Sequence, residues 1–348
     1  MSPTIAAVAT AAPPNSYTQE EILDRYTITD ERIRSVFRNG GIERRHLVLP
    51  PVDPGTGRPA GESQGELLAK HRRTAIELGI DVVDSCLKQL RVSREDIAYL
   101  GCVTSTGFLT PGLSAWIIRE MGLPSGCARA DVVGMGCHGG LNGLTAVAGW
   151  AALHPGRLAL LVCVEVCSAA YVFDGTMRTA VVNSLFGDGA AAVAVRAGGE
   201  PSGPALLRFA SCVIPEAIEA MRYDWDDDHG KFSFYLDRDI PYVVGAHAEE
   251  VVGRLLAGTG LRRGDIAHWL VHSGGRKVID AVRVNLGLTR HDLRHTSGVL
   301  RDYGNVSSGS FLFSYERLLA DGVVRSGEYG VLMTMGPGST IETALIQW

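Results

Sequence analysis

Three things are scarce in this sequence, and each scarcity excludes a class of protein. Charge of one sign is the first: 33 Lys and Arg against 38 Asp and Glu leave a formal charge of -5. That balance argues against a chain that holds nucleic acid or a membrane surface by bulk electrostatics. Long apolar runs are the second. The stretch Leu158 to Val166 (LALLVCVEV) falls far short of the ~20 residues that cross a bilayer, so no membrane association is expected. The third is cysteine pairing. The seven cysteines are odd in number, contain no CxxC pair and fit reduced thiols better than a secreted disulfide framework. Cys163 and Cys167 alone do not have metal-ligand spacing, and no metal is expected. The N-terminus lacks a basic segment, and Pro13 and Pro14 interrupt it. It reads as a first strand ending in a loop, and a cytoplasmic setting is expected.

What the sequence does have is glycine. With 42 glycines, about 12% against a usual ~7%, much of the backbone must turn tightly or approach a neighbour closely. Hydrophobic residues at 46% and charged residues at 20% exclude a disordered chain. The length of 348 residues suits about two domains of ~150 residues or one large one.

Local signals place the elements. Thr18-x-x-Glu21 is a capping box, and Asp30 can cap a second helix. Pro50 to Gln64 reads as a surface loop, and Glu66 to Leu90 has helical periodicity with Gly79 as its weak point. Ala130–Val133, Leu158–Val166 and Ala190–Val195 are short runs of the kind that form buried strands. A faint repeat links the halves. Arg94-Glu95-Asp96-Ile97-Ala98 returns as Arg263-Gly264-Asp265-Ile266-Ala267, an offset of 169. Each copy follows a helical stretch and precedes a β-rich run. The same offset carries Cys137 to 306, beside Asn305 in another Gly-rich turn. A duplicated α/β unit, with a site where the two halves meet, follows from this.

Three turns carry chemistry. In Val132-Val133-Gly134-Met135-Gly136-Cys137-His138-Gly139-Gly140 a β run enters a Gly-rich turn and a helix leaves it. Unpaired N–H groups at that helix start lower a thiol pKa and hold an oxyanion, which makes Cys137 a candidate nucleophile. The competing reading is a buried structural cysteine, as expected for Cys86, Cys102, Cys163 and Cys212. His272 ends the run Trp269-Leu270-Val271 and precedes Ser273-Gly274-Gly275, a position suited to pairing with the thiol. In Gly304-Asn305-Val306-Ser307-Ser308-Gly309-Ser310 Asn305 can donate an amide N–H to an oxyanion or simply cap a helix. Leu185-Phe186-Gly187-Asp188-Gly189 and Met335-Gly336-Pro337-Gly338-Ser339 match no phosphate-binding spacing and read as turns that shape a pocket.

The ordered set GMGCHGG, VHSGG, GNVSSGS and MGPGS, with LFGDGAAA between them, resembles the type III polyketide synthases. These are the chalcone-synthase-like branch of the thiolase fold. The resemblance implies an α/β thiolase-like fold, an internally duplicated five-layer αβαβα architecture with two mixed sheets. It implies an N-terminal half, 1–198, carrying Cys137 and a C-terminal half, 199–348, carrying His272 and Asn305. In such enzymes the cysteine carries the growing chain as a thioester, while the histidine and asparagine promote malonyl-CoA decarboxylation. Phe186 and Phe234 match gatekeeper positions, and Thr110 matches a position that completes the partner's cavity in a homodimer. Cys167, Trp225, Ser307 and Met335 match cavity-lining positions, with Gly336 in the adjoining turn. For Trp225 the competing reading is a surface residue at the start of the acidic loop Asp226-Asp227-Asp228. Arg32 matches one CoA-contacting position, but the other two basic positions are Ser35 and Asn39 here, leaving Arg38, Arg44 and Arg45 as substitutes. His138 stands where a nonpolar residue is usual.

GIERRHLVLP, VTSTGFLTPGLSA and EVCSAAYVFDG further resemble a bacterial subgroup that makes 3,5-dihydroxyphenylacetyl-CoA from malonyl-CoA. Malonyl-CoA, with or without another acyl-CoA starter, is then the expected substrate, with no separate cofactor and no acyl carrier protein. The alternatives are a ketoacyl synthase III-like condensing enzyme and a catalytically silent thiolase-fold partner subunit.

Overall fold

The computed structural model describes residues 2–170, 172–198 and 203–348. The division expected between residues 198 and 199 lies outside the described residues. Nine strands form the main sheet: β1 (Pro3–Ala11), β2 (Ile97–Thr104), β3 (Ala128–Val133), β4 (Leu158–Glu165), β5 (Gly189–Ala197), β6 (Ala205–Val213), β7 (Ile266–Val271), β8 (Tyr329–Gly336) and β9 (Thr340–Gln347). Their order is β7-β8-β9-β6-β1-β5-β4-β2-β3. Among the described residues a single register pair, Thr4 with Ala205, joins β1 to β6. The two expected mixed sheets therefore meet there, edge to edge.

The two halves run in the same order. In the first, β1 and β5 are antiparallel, β5 and β4 are antiparallel, and β4 is parallel to β2. In the second, β6, β9, β8 and β7 repeat that sequence of directions. The repeated pentapeptides fall on equivalent pieces, a 3-10 turn followed by a strand: Arg94–Asp96 before β2, and Arg263–Asp265 before β7.

Strand alternation explains the layers. In β4, Leu158, Leu160, Val162 and Val164 face one core while Ala159, Leu161 and Cys163 face another. Side chains two apart share a face of a strand, so a strand apolar on both faces is covered on both sides. The first core packs under α1 (Gln64–Leu90) and α2 (Leu113–Met121). The second, central core holds α3 (Gly139–Leu153) and a later helix, Ser310–Asp321, between strands of both halves. A third lies under α4 (Ile240–Leu256) and α5 (Arg276–Leu286). The Ser310–Asp321 helix is α6. Gly79, the weak point of α1, sits where a Cβ would come within 2.8 Å of Ile117 Cδ1, so the missing side chain lets α1 and α2 pack.

The capping boxes at Thr18/Glu21 and Ser63/Glu66 are formed, and Asp30 caps the helix Glu31–Asn39. Among the described residues no helix is long and apolar enough to cross a membrane.

Candidate active site

Cys137 sits in a 3-10 turn, Gly136–His138, that runs directly into α3. The equivalent turn of the second half, Ser307–Gly309, runs directly into α6. The two turns touch backbone to backbone: a Cβ on Gly140 would fall 2.1 Å from the Ser308 carbonyl oxygen. Only glycine permits that approach, and it brings Cys137 against Ser307. The Ser307 hydroxyl donates to Cys137 Sγ at 3.4 Å and lies 3.4 Å from Glu165 Oε1.

Glu165 ends β4 and is fully buried. It accepts the Ser308 hydroxyl at 2.6 Å and the Ser105 N–H at 2.9 Å. Ser105 in turn accepts the Gly136 N–H at 2.7 Å. A buried carboxylate thus fastens the nucleophile turn to its counterpart, and burial holds its pKa up despite these donors. The lone charge inside the apolar run 158–166 was the available sequence signal for it.

His272 lies one residue beyond β7, and its N–H bonds the Met333 carbonyl at 2.8 Å. Its Nδ1 is hydrogen-bonded to Ser310 Oγ, which fixes the ring and leaves Nε2 for the cavity. Ser310 belongs to the quoted Gly-rich turn, yet nothing in its local pattern identified it as the partner of His272.

The turn-closing reading of Asn305 has a visible hydrogen bond. Asn305 Oδ1 accepts the Ser307 N–H at 2.8 Å, closing the turn. Its side chain also pulls the Cys137 thiol pKa down. The backbone around it is tied to the Phe186 segment: Asn305 N–H donates to Leu185 O at 2.9 Å, and Gly187 N–H to Asn305 O at 3.0 Å.

Burial drives both titrating groups toward neutrality. It pushes the Cys137 thiol up to about 12, opposed by Ser307, Asn305 and the residue's own N–H. It pushes the His272 imidazole down to about 3, with His138 adding to the effect. A thiolate–imidazolium pair between Cys137 and His272 is therefore not favoured by burial. It depends on these donors and on the mutual attraction of two charges made together.

Two cavities share Cys137, Phe186, Phe234 and Met221. The inner one, about 420 Å³, is lined also by Cys167, Ser307, Ser105 and Tyr223. The outer one, about 530 Å³, reaches His272, Asn305 and Met335 and opens past Ser35 and Asn39. Phe186 and Phe234 meet edge to face with centroids 5.7 Å apart, between the two. Gly336 completes the nucleophile's surroundings: a Cβ there would lie 3.0 Å from the Cys137 nitrogen.

Other expected site residues lie elsewhere. Trp225 lines neither cavity; it is half exposed and meets Phe232 edge to face, which is its surface reading. Tyr223, two residues earlier on the same strand face, walls the inner cavity. Its hydroxyl is pushed well above its ordinary value by burial and by Cys167, Glu165 and Cys137. Thr110 is exposed and lines neither cavity of its own chain. Arg32 also lines neither and is held by Asp30 at 2.8 Å. Among the substitutes, Arg45 is wholly buried and donates to the Phe186 carbonyl and Gln19, so it is structural. Arg38 is engaged by Glu20 and Glu31, and Arg44 donates to Ser16.

The model of FAE1/type III polyketide synthase-like proteins matches residues 57–257, and that of the chalcone and stilbene synthase C-terminal domain matches 210–348. The chain is 66% identical to a 3,5-dihydroxyphenylacetyl-CoA synthase of Streptomyces toyocaensis, covering 99% of this chain and 90% of that one. It is 64% identical to the protein of the same name from Amycolatopsis orientalis, covering 99% and 93%. Its fold superposes on the 1,3,6,8-tetrahydroxynaphthalene synthase of Streptomyces coelicolor with a TM-score of 0.89 at 29% identity, covering 99% of each chain.

Proposed function

The chain belongs to the type III polyketide synthases, and on that premise we propose that it condenses malonyl-CoA on Cys137 and closes the product to 3,5-dihydroxyphenylacetyl-CoA. The observation that carries this reading is the position of Cys137 at the junction of two cavities, with His272 and Asn305 on the outer one. Similarity to synthases of that product over 99% of the chain supports the choice of product.

The Cys137 sulfur attacks the acyl-CoA carbonyl, its proton passing to His272. The carbon–sulfur bond to CoA breaks, and CoA leaves as the thiol with that proton. Malonyl-CoA then loses CO₂, and the carbon–carbon electron pair moves onto the thioester oxygen as an enolate. On this reading the Asn305 amide and His272, as the neutral tautomer with its proton on Nε2 and Nδ1 accepting the Ser310 hydroxyl, donate to that charge. The enolate carbon attacks the Cys137 thioester, forming the new bond and releasing the sulfur. The inner cavity of about 420 Å³ encloses the lengthened chain while it folds. A product that keeps its CoA thioester requires ring closure without hydrolysis of that ester.

The same reading expects a cytoplasmic homodimer, with the exposed Thr110 loop turned to the second copy, and no carrier protein. The test is mass spectrometry of products from malonyl-CoA alone and with other acyl-CoA starters. The expected result is an aromatic CoA thioester from malonyl-CoA alone. A linear product formed only when acyl carrier protein is added would instead support the ketoacyl synthase alternative.

A further inference from the structure

CoA ends in a pyrophosphate and a ribose phosphate, so a site for its thioesters needs free cations at the mouth of the outer cavity. The candidates fall into two groups. On the helix Glu31–Asn39 the charges are spent: Arg32 is held by Asp30 at 2.8 Å, and Arg38 by Glu20 at 2.7 Å and Glu31 at 2.6 Å. Its three residues on the cavity, Ser35, Val36 and Asn39, are neutral, and Asn39 donates to Ser35 Oγ at 2.8 Å.

The opposite group lies on the C-terminal half. Arg276 and Lys277 line the same cavity, are exposed, and among the described residues have no carboxylate partner. Arg238 also lines it, and among the described residues its one carboxylate contact is Asp239 at 4.0 Å. The two carboxylates on this wall are occupied: Asp237 accepts the Asp239 N–H at 2.8 Å, and Asp280 meets Arg283 at 3.3 Å. The Arg276 stem is seated on Gly41, whose Cβ would lie 3.5 Å from Arg276 Cδ. Arg276 also borders an adjoining cavity of about 650 Å³, where Arg290 is likewise without a carboxylate among the described residues. Both Arg276 and Lys277 stand in the first turn of α5, whose N-cap Gly275 supplies no side-chain acceptor, so the helix end adds positive potential in the same place.

We propose that Arg276 and Lys277, with Arg238 at the same mouth, hold the phosphates of the CoA substrate in place of the helix Glu31–Asn39. The proposal rests on the CoA-thioester reading above. The experiment compares Arg276→Ala, Lys277→Ala and the double variant on malonyl-CoA and on malonyl-pantetheine, which has the same thioester and no phosphate. The ratio of kcat/KM for the two substrates should fall about tenfold for each single variant, the size of one lost charge-assisted contact. It should fall further in the double variant and recover largely in Arg276→Lys. Added salt should lower the native ratio, since exposed charges are screened. An unchanged ratio in the double variant overturns the proposal. An equal fall on both substrates overturns it too, because it would mark a structural role. A native enzyme that turns over neither substrate would overturn the underlying reading instead.

Discussion

Asn305 Oδ1 accepts the Ser307 N–H at 2.8 Å, and this bond decides which end of the amide faces Cys137. Held this way, the amide can only donate toward the cavity. Asn305→Asp keeps the acceptor for Ser307 but turns a second oxygen toward the enolate. Both Asn305→Asp and Asn305→Ala should cut malonyl-CoA decarboxylation by roughly 10²–10³-fold, as for one lost oxyanion donor. Asn305→Asp should retain the native melting temperature more nearly than Asn305→Ala. Decarboxylation at the native rate in both variants would reduce Asn305 to the residue that closes its turn.

The second prediction concerns pH. Burial raises the Cys137 thiol toward about 12, and the donors around it pull the other way. A neighbouring imidazole that takes the proton stabilises the thiolate, so it lowers the pH at which the thiolate appears. Removing it leaves burial less opposed. The midpoint of Cys137 alkylation by iodoacetamide should therefore move to higher pH in His272→Gln than in the native protein. Coincident profiles would show that His272 does not serve the thiol.

A third prediction separates two aromatic residues on one strand. Met221, Tyr223 and Trp225 share a face of the hairpin strand Met221–Asp226, opposite Leu236, Phe234 and Phe232. The inner cavity is bounded at Tyr223 and Phe234, whereas Trp225 and Phe232 meet edge to face outside it. Packed walls do not yield easily, so removing the true wall lengthens the space. Tyr223→Ala should shift products toward longer chains, and Trp225→Gly should leave the chain-length distribution as it is. A shift in Trp225→Gly with none in Tyr223→Ala would reverse the assignment.

The sequence by itself determined the features that are local or periodic. The glycine-framed turn at Cys137, the strand end at His272 and the turn at Asn305 are each contiguous in the chain, so their backbone needs are written in adjacent residues. The capping boxes, the two-faced apolar strands and the 169-residue repeat are legible for the same reason. Tertiary structure alone decided the rest. Trp225 and Tyr223 have the same alternation, and only the place where the hairpin leaves the core tells which of them meets the cavity. Arg32, Arg38 and Arg45 are indistinguishable as charges in a sequence, yet Asp30, Glu20, Glu31 and the Phe186 carbonyl engage them, while Arg276 and Lys277 remain open at the mouth. Glu165 and Ser310 gain their roles from partners 142 and 38 residues away. Hydrogen bonds and desolvation act through space, and no local pattern of residue types records which distant side chain will arrive to make them.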